Sequence, residues 1–324
     1  MPVRILSGVQ PSGKLHLGNY FGAIKQHIEL QEIPNSEKFY FIADLHALTT
    51  VHDANNLRDY VHGVALDYLA LGLDPKRSVF FRQVDVPEHT ELAWILSTVT
   101  GMGLLERAHS YKDKVAKGIA ASVGLFYYPV LMASDILLYQ PNFVPVGADQ
   151  VQHIEMTQDM AQYFNNTFKC EVLKRPEAKL SNTPKVPGTD GGKMSKSYGN
   201  TIDLAAEGKE LKKTVMAVKT DSTPVEAPKN PDTDNVYALY SLFATEDEKM
   251  ALADKYRAGG MGYGDAKKLL LEKIEAYFAD YRTKRKDLEK NPDYVQQVLK
   301  DGAERARAVA SATLSDVRKA CGLR

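Results

Sequence analysis

The chain has 324 residues, enough for two domains, and its 25% charged and 44% hydrophobic residues are the balance of a globular protein in water. Its 41 basic and 41 acidic residues cancel, which argues against steering of a polyanion by the global field but leaves room for local patches. No apolar run approaches the roughly 18–20 residues of a membrane helix, the start "MPVRILSGVQPSG" is too short in apolar residues for a secretion signal, and Cys170 and Cys321 stand apart without a CxxC pair, so neither a disulfide framework nor a zinc site is indicated. A cytoplasmic protein with no membrane attachment is expected.

In chain order, "RILSG" is a short apolar run ending in glycine, and "HLGNYFGAIKQHIEL" switches to helical spacing. "KFYFIADLHALT" begins as a buried strand, and "ANNLRDYVHGVALDYLALG" is an amphipathic helix closed by Gly72. "SVFFRQVDV" is a strand, "PEHTELAWILSTVT" a helix, "YPVLMASDILLYQ" a helix and "NFVPVG" an extended segment. This alternation predicts an α/β fold, a parallel sheet covered by helices, with ligands beyond the carboxyl ends of the strands. Gly8 to Gly13, Asp44 to His46 and Gly147 to Gln150 should lie at that edge. "LSNTPKVPGTDGGKMSKSYGNTI" is a Gly/Pro/Ser/Thr-rich loop or linker. Beyond residue 200 only helical spacing remains, in "EGKELKKTVMAVKT", "VYALYSLFA", "EDEKMALADKYR", "DAKKLLLEKIEAYFADYRTKRKDLEK" and "VQQVLKDGAERARAVASATLSDVRKA".

Three stretches carry chemistry. "SGVQPSGKLHLGNYFG" puts Gly18 and Asn19 at a helix start, where unpaired N–H groups favour phosphate and a glycine admits close approach of a ligand. "GGKMSKSYGN" sets Lys193 and Lys196 between glycines, as a mobile loop closing on negative charge would require; it lacks the spacing and hydroxyl of a Walker loop. In the helix of residues 128–140, Tyr128, Met132, Asp135 and Tyr139 share one face. A carboxylate there costs on the order of several kcal/mol unless paired, so Asp135 is either a structural residue bonded to a nearby cation or helix end, or a ligand contact.

Together these motifs carry a resemblance. "HLGN" at 16–19 is similar to the HIGH motif of class I aminoacyl-tRNA synthetases, and "KMSKS" at 193–197 matches their second motif letter for letter. With "QPSGKLHLGNYFGA", "YPVLMASDILLYQ" and "VPVGADQVQH", the chain resembles the bacterial-type tryptophanyl branch of that family nearly end to end. The resemblance implies a Rossmann-like nucleotide-binding domain over 1–185 that takes ATP and L-tryptophan, and a KMSKS linker over 186–200. It also implies a C-terminal α-helical, anticodon-binding region over 201–324, whose last helix could pack back on the catalytic domain. The implied activity is formation of tryptophanyl-adenylate and its transfer to tRNA(Trp), with Mg2+ accompanying ATP, no tightly bound cofactor, and a homodimer. "TELAWILSTVTGMGLL" is a candidate for the dimer face.

By the same resemblance, Gln10, Pro11, Ser12, Gly18 and Asn19 contact ATP, His16 touches phosphate, and Gly147, Ala148 and Asp149 hold the ribose. A residue near Val186 borders the adenine. Lys193, Met194, Ser195, Lys196 and Ser197 close on the triphosphate, with Lys193 and Lys196 as the catalytic cations. Asp135 accepts the indole N–H between Met132, Val144 and Val146, and His46 and Gln150 are further substrate-side candidates, as is Tyr128. Leu6, Leu45 and Ala148 depart from residues common in the family and put details of the pocket in doubt. The basic segments "ERAHSYKDKVAKG" and "YRTKRKDLEK" suit RNA, the second pairing Lys284, Arg285 and Lys286 with Tyr277 and Tyr281 for base stacking. A tyrosyl enzyme of the same fold, a non-catalytic RNA-binding paralogue and a free-standing nucleotidyltransferase are the alternatives.

Overall fold

The structure is a computed structural model that describes residues 2–108, 111, 122–180 and 185–323. Five strands form one all-parallel sheet: β1 (Val3–Val9), β2 (Ser36–Ile42), β3 (Val79–Arg82), β4 (Phe143–Val146) and β5 (Glu177–Leu180), in the order β3-β2-β1-β4-β5. Register runs Val3↔Ser36 to Val9↔Ile42, Phe39↔Val79, Ile5↔Phe143 and Phe143↔Glu177. The order reverses at β1, so the carboxyl ends of β1 and β4 flank a topological switch point. Among the described residues the helices are α1 (Leu17–Asn19), running through a π turn at Tyr20–Ile24 into α2 (Lys25–Leu30), then α3 (Asp44–Ala47), α4 (Ala54–Ala70), α5 (Glu88–Ser97) and α6 (Met102–Glu106). They continue as α7 (Val123–Leu137), α8 (Val151–Phe168), α9 (Gly208–Met216), α10 (Asn235–Tyr240), α11 (Glu246–Ala258), α12 (Tyr263–Tyr277), α13 (Ala279–Glu289) and α14 (Pro292–Ala320). None of them is long and apolar enough to cross a membrane.

Contacts divide the chain into two compact units: Met1–Ser12, His27–Asn182 and Asn291–Arg324 in the first, Gly13–Gln26 and Thr183–Lys290 in the second. Where consecutive segments bounded at 185 and 200 were expected, the grouping is interleaved, for identifiable reasons. Leu17 N–H donates to the Ile202 carbonyl at 3.0 Å and Leu204 N–H to the Leu15 carbonyl at 3.1 Å, which ties the HLGN turn to the chain after KMSKS. Helix α14 joins the sheet: Arg305 donates to the Pro75 carbonyl at 2.8 Å, Arg307 pairs with Glu88 at 2.8 Å, and Ala306, Ala310 and Leu314 are buried in the core.

The first unit's core lies between the sheet and α5, α7, α8 and α14, with Leu6, Phe39, Phe41, Phe81, Val130, Ile136, Ile154 and Phe164 inside it. On β2, Phe39 to Ile42 are all buried, as a central strand covered on both faces requires. Strand β5, "EAKL", is exposed throughout, an edge strand with no apolar signature to announce it. In the second unit, "DAKK…DLEK" breaks into α12 and α13 at Phe278, which is buried against Tyr20, Phe243 and Tyr281.

Candidate active site

In the first unit, Asp44 to His46 follow β2, Gln83 follows β3 and Gly147 to Gln150 follow β4, all at the carboxyl edge of the sheet. Facing them on α7 is Asp135, 1% exposed. Its Oδ2 accepts from His46 Nε2 at 2.7 Å; its Oδ1 accepts from Gln83 Nε2 at 2.7 Å and His89 Nδ1 at 2.6 Å. Burial by itself would raise its pKa, but the His46 and His89 rings and their hydrogen bonds outweigh that and hold the carboxyl down to about 2. Gln83 is oriented in turn, since its Oε1 accepts from Leu45 N–H at 3.2 Å. Leu45 therefore takes part through its backbone.

Met132 and Tyr128, on the same face of α7 as Asp135, are half-buried, and Val144 and Val146 are buried on β4. The Tyr128 hydroxyl pairs with His153 Nε2 at 2.8 Å, the two rings stacking at 5.6 Å, while His46 meets Tyr128 edge-on at 6.2 Å. Gln10 Nε2 donates to the His46 carbonyl at 3.2 Å; Pro11 is buried, Ser12 exposed, and Leu6 buried. Gly147 begins the turn after β4, Ala148 is exposed and Gln150 half-buried; the side chain of Asp149 lies outside those described.

The second unit brings the two synthetase-like motifs together. Gly18 N–H lies 3.3 Å from Met194 Sδ, and a Cβ on Gly18 would stand 3.0 Å from the His16 ring and 3.4 Å from Met194 Cβ. His16 N–H donates to Asn19 Oδ1 at 3.2 Å. The His16 ring is buried and its Nδ1 has no hydrogen-bond partner; burial, then the Lys196 charge, bring its pKa down to about 4, so it is neutral at neutral pH. A cavity of about 260 Å³ is lined by His16, Lys14, Lys196, Thr201, Asp203 and Glu210 among others. Lys193, Ser197 and Gly199 are exposed, Ser195 and Lys196 half-exposed, Met194 buried; Val186 is buried and its carbonyl accepts from Met194 N–H at 3.1 Å.

The motif loop is pinned at its base. Asn200, 2% exposed, accepts from Ser195 N–H at 2.8 Å and donates to the Lys193 carbonyl at 3.0 Å and Asp190 Oδ1 at 2.7 Å. Gly191 (φ +89°) and Gly199 (φ +64°) close the turns on either side. Sequence patterning missed Asn200, Gln83 and His89; the last two stood out only as polar letters in the apolar stretch "SVFFRQVDVPEH".

The basic segment on α13 departs from expectation. Tyr281 is buried against Phe278 and Arg282 is buried as well, so Tyr281 offers no ring face for a base; Tyr277 remains 40% exposed with its hydroxyl 2.9 Å from that of Tyr20. Lys286 and Arg285 are ion-paired with Glu207 and Glu289. Of "ERAHSYKDKVAKG", all beyond Ala108 except Tyr111 lies outside the described residues.

A parallel sheet with a switch point in one unit, and in the other a HIGH-like turn held against a KMSKS loop, are the marks of a class I aminoacyl-tRNA synthetase. The profile described as "tRNA synthetases class I (W and Y)" matches residues 1–279, and the chain belongs to that family. It is 53% identical to the tryptophan–tRNA ligase of Fusobacterium nucleatum over 321 residues, covering 99% of this chain and 98% of that one. Its identity to the tryptophan–tRNA ligase of Rhodopirellula baltica is 55% over 323 residues, covering 99% and 100%. The crystal structure of tryptophanyl-tRNA synthetase from Campylobacter jejuni, complexed with ADP and tryptophan, superposes with a TM-score of 0.93 at 48% identity, covering 99% of this chain and all of that one.

Proposed function

We propose that the chain is a tryptophan–tRNA ligase. A carboxylate oxygen of L-tryptophan attacks the α-phosphorus of ATP, the bond to the bridging oxygen of the β-phosphate breaks, and pyrophosphate departs. A hydroxyl of the terminal ribose of tRNA(Trp) then attacks the carbonyl carbon, and AMP leaves. The observation carrying this reading is Asp135, a buried, ionised acceptor beside Met132 and Tyr128, in a chain whose curated relatives bear the tryptophan name. An indole N–H is a donor only, and a carboxylate is an acceptor only.

The reaction asks for positioning and charge stabilisation more than for covalent participation of side chains. The ammonium groups of Lys193 and Lys196 neutralise the leaving pyrophosphate, and the neutral ring of His16 with Gly18 and Asn19 offers hydrogen-bonding groups that hold the triphosphate. Gln10, Pro11 and Ser12 complete the ATP contacts, Gly147 to Asp149 take the ribose, and the backbone near Val186 borders the adenine. Tyr128, Met132, Val144, Val146, His46 and Gln150 enclose the indole and its amino acid. Magnesium arrives with ATP as part of the substrate. The helical region up to residue 290 takes the anticodon. A second copy of the chain covers the stretch of residues 90–105, in which Trp94 and Met102 are 71% and 63% exposed, and the dimer works in the cytoplasm.

Pyrophosphate exchange and aminoacylation of purified tRNA, run with tryptophan and with tyrosine, test the reading. Tryptophan alone should support both reactions, and Lys196→Ala should lower exchange about 10²-fold or more with tryptophan binding nearly unchanged. Equal activity with tyrosine, or near-normal exchange in the lysine variant, would overturn it.

A further inference from the structure

The three donors at Asp135 are unevenly divided. Oδ1 receives the two fully buried ones, from Gln83 and His89, at 2.7 and 2.6 Å, and Oδ2 receives only His46, at 2.7 Å. A carboxylate offers about four lone-pair directions, so Oδ1 is saturated and, among the described residues, one direction on Oδ2 takes no donor. His89 is held on every side. The Tyr139 hydroxyl lies 2.9 Å from its Nε2, Ser134 Oγ donates to its carbonyl at 2.6 Å, and the rings of Phe41, Phe81 and Tyr139 surround it at 6.0, 6.2 and 5.6 Å. Because a carboxylate can only accept, Nδ1 carries the proton that faces Asp135, and Nε2 accepts from Tyr139.

We propose that His89, fixed by Tyr139, is a positioning residue that keeps Asp135 an acceptor with one outward lone pair, and so sets the preference for an indole N–H over a phenol. This rests on the reading of Asp135 as the indole acceptor. Remove the His89 proton and Oδ1 loses one of two donors while the group stays only 1% exposed. The carboxyl would then take up a proton at higher pH. A protonated carboxyl donates as well as accepts, which suits a phenol oxygen and blunts the distinction. The groups facing Asp135 are His46 from α3, Gln83 after β3, His89 from α5, and Tyr139 in the turn after α7. Glu88 on α5 also reaches Tyr139 electrostatically, but Arg307 and Ser311 on α14 bond it and lower its pKa, opposing burial, so it stays charged over the same range. Burial, then the Asp135 and Glu88 charges, push Tyr139 well above its usual range, so its hydroxyl remains a donor to His89.

The test is pyrophosphate exchange by the full chain with tryptophan and tyrosine across about pH 5–9, comparing His89→Leu, His89→Asn, Tyr139→Phe and Asp135→Asn. His89→Leu should raise KM for tryptophan about 10- to 100-fold with kcat changed far less, lower the tryptophan-to-tyrosine ratio, and move the acid limb of the tryptophan profile to higher pH than in the parent. His89→Asn, which returns an N–H to the same place, should recover most of each change, and Tyr139→Phe should fall between. Leu and Asn variants that decline together, with selectivity intact and the acid limb where the parent has it, would show that the side chain only fills space. Should His89→Leu fail to fold, a Tyr139→Phe enzyme with unaltered KM, ratio and pH profile would be equally fatal. Asp135→Asn separates the two levels. If it leaves the ratio untouched, the indole-acceptor reading itself fails; if it collapses the ratio while the His89 and Tyr139 variants do not, only the positioning role is lost.

Discussion

Asn200 stands apart from the KMSKS letters, yet it is the residue that shapes them. Asn200→Ala would strip the hydrogen-bond partner from Ser195 N–H, held at 2.8 Å, and from the Lys193 carbonyl, held at 3.0 Å, while the third bond, to Asp190 Oδ1 at 2.7 Å, passes to water because that carboxylate is exposed. At about 1 kcal/mol net for each bond, the loss is roughly 2 kcal/mol, and somewhat more for whatever part of these groups water cannot reach. Against a total stability of about 5–15 kcal/mol the chain stays folded. The cost falls instead on the loop, whose ordered form holds both ammonium groups in place, and 2 kcal/mol is about a 30-fold change in that equilibrium. Exchange activity should therefore drop about 10- to 100-fold in kcat/KM for ATP. Equilibrium binding of labelled tryptophan should not change, because the Asp135 network belongs to the other unit. Exchange at the parental rate, or a parallel loss of tryptophan affinity, would refute a role confined to the loop.

Three further outcomes are expected. His27 is fully buried, with Nδ1 3.0 Å from the Tyr68 hydroxyl, and burial lowers its pKa from 6.5 to about 4. Between those values the unfolded chain binds a proton that the folded chain does not, so stability falls as pH drops; this group's share reaches roughly 2–3 kcal/mol near pH 4.5. Asp44, raised to about 6 mainly by burial, acts with the opposite sign, so the readout is the difference between parent and His27→Gln, whose gap in urea-unfolding free energy should narrow on acidification. A Cβ on Gly302 would lie 1.8 Å from the Phe80 carbonyl oxygen, backbone that cannot step aside; Gly302→Ala should cost about 2–4 kcal/mol by thermal denaturation, whereas Gly63→Ala, with open space around it on α4, should be neutral or stabilising. Trp94→Glu should shift a homodimer towards monomer in sedimentation, and an unchanged mass would move the interface elsewhere.

The sheet was legible where burial writes continuous apolar runs. "RILSG", "KFYFI" and "SVFF" became β1, β2 and β3, and "NFVPVG" became β4. Strand β5 was not, because an exposed edge strand owes its conformation to pairing with β4 and needs no apolar pattern of its own. Helical spacing found α12 and α13 but ran them together, since the break depends on Phe278 turning into an aromatic cluster built from Tyr20 and Phe243, far away in the chain. The interleaving of the two units has the same origin: the bonds from Leu15 and Leu17 to residues 202–204 are long-range. Tyr281 shows the converse hazard, a ring assigned to solvent by its charged neighbours and drawn inward by helix phase.

In the candidate site, legibility follows from how many segments a function draws upon. The groups proposed to meet a triphosphate come from one turn or one loop, so HLGN and KMSKS are contiguous and readable. The groups that hold Asp135 come from residues 46, 83 and 89, each just past the end of a strand or in the first turn of a helix, and no spacing rule links them. Physics constrains them all the same. A carboxylate on a buried helix face needs several donors, and in an α/β fold they must come from the carboxyl edge of the sheet. Scanning that edge for polar letters inside apolar stretches returns His46, Gln83 and His89. The cost of burying a charge thus predicts that such partners exist and which strand ends supply them, while packing alone decides which oxygen each one takes.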